Sequence, residues 1–376
     1  MEDKNVVYIE SPDFLDNEES FKTWKNRYPQ GGAFVLLTEK NKDSVGLIQK
    51  TFSDLGIPFT GAVFPELLVN YSFKQTGLII FLFPVMPSYK LITDLNKNQR
   101  NIASSLEEIL SLESGSKQTL FLVFDSMVKT ISSILENIYE EFADELFYMG
   151  VNAGSEGFQP MECLFDNDTL VQDGVLAMTI PDYPGGVVEH GYRVPEKLRL
   201  ATSTKGNRIM SISLRNAFEV YQEILKDQFN VTLTRDNFYQ YSVHFPFGII
   251  RANNEVIVRI PVQLEEDGTL FCVGEVPANE TLTVLEASEA SSLETIESLK
   301  NGLSGERYPY YMLFYCAGRR LHLGERASEE LLNLKNALSG SQSYGALSLG
   351  EIGTSRKGDY PLFHNAALVL SPWKSL

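Results

Sequence analysis

The segment Phe314-Tyr315-Cys316-Ala317-Gly318-Arg319-Arg320-Leu321-His322 places a thiol just ahead of two guanidinium groups and an imidazole. Positive charge near a thiol favours the thiolate, so Cys316 is a candidate nucleophile. The planar fork of Arg319 suits a carboxylate or phosphate equally well, which makes the same segment a candidate anion site. A plainer reading has Cys316 packing as a small hydrophobe at a strand end while Arg319 pairs with Glu325 or Glu329. A second segment, from Gly345 through Gly350 to Gly353, holds Glu351 in a glycine-rich turn between two apolar strands. Glycine there permits positive φ or a close backbone approach, and the carboxylate can accept bonds from a ligand amino group or cap loop amides.

Other residues carry weaker signals. His190, in the loop Gly185-Gly186-Val187-Val188-Glu189-His190-Gly191-Tyr192, can ligate haem iron through its imidazole or be an ordinary loop residue. Tyr239, Tyr241, His244, Phe245 and Phe247 can line a ligand cavity, or belong to a core or domain interface. There is no GxSxG, P-loop, GxGxxG or HExxH, so no catalytic residue is assigned. The 4 histidines, His190, His244, His322 and His364, include no pair four residues apart, so a multi-histidine metal site would have to come from distant segments. No metal is expected.

The elements that must position these residues follow from periodicity. The pattern predicts a strand over 33–38, a helix over 44–55 stopped by Gly56 and Pro58, and a strand over 77–83. A polar linker over 94–104 leads to a short helix over 106–112 and a strand over 119–124. Met127, Ile131, Ile134, Leu135, Ile138, Phe142 and Leu146 then recur at helical spacing. Between 150 and 206, glycine and proline break a strand-rich stretch that includes 171–180 into hairpins and loops, with breaks at Pro184 and Pro195. Beyond it lie a strand over 208–214 and a helix over 217–226 capped by Asn216, strands over 256–262, 269–273 and 310–315, helices over 291–300 and 328–338, and strands over 344–349 and 362–370. The fold class is α+β, with two domains of largely antiparallel sheets flanked by helices, at 30–205 and 206–376. Gly61-Ala62-Val63-Phe64-Pro65-Glu66-Leu67 and Gly345-Ala346-Leu347-Ser348-Leu349-Gly350-Glu351-Ile352 both put a carboxylate after a glycine-started apolar strand, which a duplicated unit or coincidence would explain.

Composition narrows the function classes. With 376 residues and 43% hydrophobic content there is material for two cores. A formal charge of −17 repels nucleic acid and anionic membrane surfaces. The apolar run 77–86 contains Pro84 and is shorter than the roughly 20 residues a spanning helix needs, so no membrane insertion is expected. The opening residues have no basic n-region or apolar h-region, and the 3 scattered cysteines suit reduced thiols, so a cytoplasmic location is expected.

In order along the chain, several of these pieces resemble the FIST (F-box and intracellular signal transduction) family. The stretch from Gly345 through Gly350, Glu351 and Gly353, followed by Phe363-His364-Asn365-Ala366-Ala367, is similar to the close of the FIST C-terminal domain. Cys316-Ala317-Gly318-Arg319 with Gly324, Glu329 and Glu330 resembles that domain's Cys-x-Gly-Arg segment. Gly185-Gly186 to His190-Gly191 resembles the junction between the two FIST domains, and Gly150-Val151-Asn152-Ala153-Gly154-Ser155 a family glycine turn. In the segment 59–67, Val63, Phe64 and Pro65 replace the small polar residues usual at that turn. The resemblance implies a sensory module for a small ligand such as an amino acid, relaying to a signalling partner such as a histidine kinase. No cofactor is expected, although haem is compatible with the family, and two alternatives stand beside the sensor: a haem-binding nitric oxide sensor using His190 and a thiol-dependent enzyme using Cys316. From residue chemistry, Arg319 would hold a ligand carboxylate and Glu351 an amine, with Cys316, Gly318, Gly345, Gly350 and Asn365 completing the site.

Overall fold

The computed structural model of the chain describes residues 5–11, 18–97, 102–110, 118–181, 185–194, 197–251, 255–286, 290–303, 308–354 and 360–373. Residues 98–101 of the expected linker, the end of the short helix at 111–112, and the breaks at Pro184 and Pro195 lie outside these.

Continuous apolar runs mark strands buried on both faces, and such runs build one α/β unit three times over. In unit one a leading strand, Gly32–Thr38, passes through the helix Val45–Asp54 to a parallel second strand, Phe59–Phe64, while a return strand, Leu78–Phe83, lies antiparallel to the first. Unit two repeats this with Gln118–Asp125, the helix Ile131–Phe142, Leu146–Ala153 and Val175–Pro181. Unit three uses Tyr310–Cys316, the helices Ala317–Leu323 and Arg326–Ala337, Gln342–Ser348 and Leu368–Trp373.

After its second strand each unit sends a hairpin into another unit's sheet. The hairpin of Leu67–Val69 and Ser72–Lys74 leaves unit one to pair with Gln342–Ser348 of unit three. Leu164–Asp166 and Leu170–Val171 leave unit two for Phe59–Phe64 of unit one. Glu351–Gly353 and Leu362–His364 leave unit three for Leu146–Ala153 of unit two, which closes the cycle. The match extends to single hydrogen bonds: Val63 N–H to Cys163 O at 2.8 Å, Asn152 N–H to Gly350 O at 2.9 Å, and Leu347 N–H to Glu66 O at 2.9 Å.

Each crossing needs a glycine. Gly61, Gly150 and Gly345 face Phe165, Ile352 and Leu68 in register. A Cβ at these glycines would stand 2.5, 2.5 and 1.8 Å from the carbonyl oxygens of Val35, Leu122 and Leu313, so close approach fixes the residue type. The echo between 61–67 and 345–352 is thus part of a threefold repeat. Its third copy was hidden because the strand Leu146–Ala153 begins on an apolar residue in phase with the preceding helix.

The three sheets share a core. Phe34 and Leu36, Phe121 and Val123, and Met312 and Phe314 come from the three leading strands and are fully or almost fully buried together. Phe121 bridges Phe34 and Phe314 with ring centroids at 5.5 and 6.1 Å. Burying each such side chain stabilises the fold by about 1.5–3 kcal/mol. Outer faces are covered by helices, with Ile134, Leu135 and Ile138 against Leu120 and Leu122, and Leu331 and Leu334 against Leu313 and Tyr315.

Between units two and three, the strands from Arg199–Lys205 to Thr281–Val284 form an eight-stranded antiparallel sheet. It is covered by the helix Ala217–Phe229, whose first amides are capped by the Asn216 side chain as expected. The hairpin of Arg199–Lys205 and Arg208–Ile212 in this sheet spans position 205/206. The expected strand 256–262 is two, Val256–Arg259 and Pro261–Leu264, and 362–370 likewise divides into Leu362–His364 and Leu368–Trp373. The sheets are largely antiparallel and flanked by helices, an α+β fold. Among the described residues no helix is long and apolar enough to cross a membrane.

Candidate ligand-binding site

Ligands commonly bind α/β sheets beyond the carboxyl ends of parallel strands. Unit two has a cavity of about 530 Å³ at that position. Asp125 ends the leading strand by accepting the Met127 amide at 2.9 Å and the Asp173 amide at 2.6 Å, and the turn so fastened carries Ser126 to Lys129 into the cavity wall. The second strand supplies Asn152. Val262, Gln263, Phe271 and Cys272 of the eight-stranded sheet form the opposite side, and Phe158 and Phe363 add aromatic surface.

Asn152 is the polar group that stands out. It is fully buried, its main chain is bonded to Gly350 and Leu349, and among the described residues neither its Oδ1 nor its Nδ2 has a hydrogen-bond partner. Leaving a buried donor or acceptor unmade costs about 1–3 kcal/mol, and Asn152 lines the cavity with both unmade. The charged groups on the lining, Lys129 and Glu156, are respectively exposed and part-exposed.

A smaller recess of about 30 Å³ adjoins this cavity and shares Glu156, Phe158, Tyr239, Val262 and Val273 with it. Cys316, Gly318 and Asn365 line this recess, so three of the residues singled out in the sequence meet at one place. Tyr239 is the member of the aromatic cluster that reaches the cavities, whereas Phe247 packs in the core of the eight-stranded sheet.

Arg319 and Glu351 lie deeper. All five Arg319 N–H groups are engaged within the protein. Nε and Nη2 donate to Glu330 at 2.8 and 2.6 Å, Nη1 donates to the carbonyls of His190 and Ala366 at 2.6 and 3.3 Å, and Nη2 also reaches Thr295 Oγ1 at 3.5 Å. Its partner is Glu330, neither Glu325 nor Glu329, because Gly324 at φ 58° breaks the helix between them and turns the next one back. Burial alone would raise the Glu330 carboxyl, but the Arg319 bonds and charge outweigh it and hold it below the usual value. Glu351 is fully buried and accepts Ser348 Oγ–H at 2.6 Å and the Ala367 amide at 3.3 Å. Burial pushes its carboxyl up to about 8.

Cys316 Sγ accepts the Ala366 amide at 3.1 Å, and burial pushes the thiol far above its ordinary range. Asn365 accepts the Ile260 amide at 3.2 Å and donates to the His364 carbonyl at 3.2 Å. Gly350 is held by close approach, since a Cβ would lie 2.4 Å from the Phe363 ring and 3.0 Å from Asn152 Nδ2.

His190 does not fit haem ligation. Its Nδ1 accepts the Tyr192 amide at 3.0 Å, which leaves the proton on Nε2, and that proton is donated to Val256 O at 3.1 Å. No ring lone pair is left for iron. The histidines do converge in space: His190 and His364 rings lie 6.0 Å apart, and His244 Nδ1 and His322 Nδ1 are 2.9 Å apart. Among the described residues no group of three His, Cys, Asp or Glu side chains has metal-holding geometry.

Comparison with known families gives two adjoining matches. The FIST N domain matches residues 34–215 and the FIST C domain matches residues 217–354. No curated protein matches the chain.

Proposed function

The chain belongs to the FIST family, whose domains are associated with signal transduction and small-ligand sensing, and from that premise we propose that it senses a small polar ligand of about amino-acid size in the 530 Å³ cavity. The observation that carries this reading is the Asn152 carboxamide, buried at the cavity wall with neither its donor nor its acceptor bonded among the described residues. The cavity is walled by unit two on one side and by the eight-stranded sheet on the other, so a ligand touching both stabilises one relative placement of the two. That placement is what a signalling partner, such as a histidine kinase, reads. Arg319 and Glu351 support the site from behind: Arg319 ties the His190 and Ala366 carbonyls to the unit-three helices, and Glu351 fastens the turn around Ser348 and Ala367.

Neither alternative gains support of its own. The ring nitrogens of His190 are both bonded, and the Cys316 thiol is buried with its proton held.

The test is native mass spectrometry of the protein purified without denaturation, for the wild type and for Val262→Trp, which fills the cavity. A small molecule or screened metabolite retained by the wild type and lost from folded Val262→Trp supports the reading. Equal retention by both places the ligand elsewhere and sinks it.

A further inference from the structure

We infer that the group recognised at the cavity wall is a neutral amide or lactam edge, carried on a small flat ring. This rests on the reading of the 530 Å³ cavity as the ligand site and adds the ligand's chemical class.

Asn152 sets the chemistry at the wall. A carboxamide presents a donor and an acceptor side by side, and its full complement is another edge with acceptor and donor adjacent, as in a primary amide, a pyrimidine or a lactam. A carboxylate would meet Nδ2 but set its second oxygen against Oδ1. An ammonium would meet Oδ1 and leave Nδ2 open. In either case a charge is taken out of water with no fully buried opposite charge on the lining to meet it, which is expensive. The charged side chains on the lining, Lys129 and Glu156, are not fully buried, whereas Asn152 is. The buried cations are already committed: Arg319 in the adjoining unit has every N–H engaged, and Arg259, whose guanidinium lies 5.3 Å from the centroid of the lining Phe363 ring, donates to the carbonyls of Glu275, Val258 and Phe363 and to Ser132 Oγ.

The walls favour a flat body. Phe158, Phe271 and Phe363 lie on the lining with Val262 and Val273, and aromatic faces take planar rings by offset or edge-on contact. Gly350 holds the Phe363 ring and the Asn152 amide next to each other, since a Cβ there would touch both. The ring surface and the polar edge are therefore set at one spot by the same close approach.

Paired probes that differ only at the recognised edge test this: nicotinamide against nicotinate, with uracil as a lactam, titrated into the full chain by ligand-observed NMR. Nicotinamide and uracil should bind the wild type, nicotinate should bind about tenfold more weakly or worse, and Asn152→Leu should erase the difference. Asn152→Asp, which replaces the donor by a second acceptor, should favour benzamidine over nicotinamide. The wild-type preference for nicotinamide over nicotinate needs no variant, so a folding failure leaves the test intact. Binding that Val262→Trp blocks but that ignores amide against carboxylate overturns the inference and leaves the cavity reading standing. No binding of any probe, together with no ligand retained in native mass spectrometry, overturns both.

Discussion

Asp125 and Cys316 hold the same position in units two and three. Each ends a leading strand and accepts the amide hydrogen of a left-handed residue just ahead of the return strand, Asp125 Oδ2 from Asp173 at 2.6 Å and Cys316 Sγ from Ala366 at 3.1 Å. Asp173 and Ala366 have φ of 53° and 54°. A thiol that occupies the place of a turn-fastening carboxylate has a structural task whatever else it does.

Cys316 should therefore behave as an acceptor. Cys316→Ser keeps an acceptor for the Ala366 amide and should stay within about 1 kcal/mol of wild type, whereas Cys316→Val leaves that amide unpaired and should cost about 1–3 kcal/mol in urea denaturation. Iodoacetamide at neutral pH should label all three cysteines slowly in the native protein, since all are buried. Fast alkylation confined to Cys316 would favour the thiol enzyme instead.

The pair of Arg319 and Glu330 is almost wholly buried, with side chains 5% and 1% exposed. Arg319→Ala strands a buried carboxylate and should destabilise by about 3–5 kcal/mol, and Arg319→Met with Glu330→Leu should cost distinctly less, because an apolar pair replaces a charge pair without leaving a lone ion. Equal losses in the single and double variants would mean that the charges do not act as a pair.

Glu351 gives a pH signature. Its folded value of about 8 lies above its ordinary 4.5, so the folded state holds the proton more tightly than the unfolded chain. Its stabilising contribution is complete below about pH 4.5 and is lost as pH rises through about 8, at about 1.4 kcal/mol per pH unit inside that window. Glu351→Gln, which mimics the protonated form, should flatten the wild-type fall in stability between pH 5 and 8. A variant with the same slope as wild type would assign the fall to other groups.

Two glycines bracket the packing argument. Gly345→Ala pushes a Cβ to within 1.8 Å of the Leu313 carbonyl oxygen and should cost more than about 4 kcal/mol or prevent folding. Gly46→Ala, inside the helix Val45–Asp54 with nothing within 4 Å, should raise stability by up to about 1 kcal/mol. Thermal melts of the two compare them directly, and similar shifts would undo the close-approach account.

Much of this was legible in the sequence. The FIST segments, the α+β class and Asn216 as a cap follow from local chemistry and motif order. The pairing of Arg319 with Glu330 was not, because a helix break at Gly324 converts a spacing of one helix into a contact between two. In the sequence Asn152 reads as part of a glycine turn and not as a site. Its strand looked like the tail of a helix, and an asparagine in such a turn is ordinarily satisfied by its own loop. The repeated glycine three residues before each strand end, at Gly61, Gly150 and Gly345, is the signal that would have placed Asn152 on a strand.

The most direct test of the cavity as a ligand site is the effect of Asn152→Leu on two quantities measured side by side, stability without ligand and retention of the copurified or screened ligand. A similar volume with no polar atoms removes an unmet donor and acceptor, so the ligand-free protein should gain about 1–3 kcal/mol while ligand binding falls at least about tenfold. A ligand-free protein that loses stability, or a variant that keeps its ligand, would contradict the account.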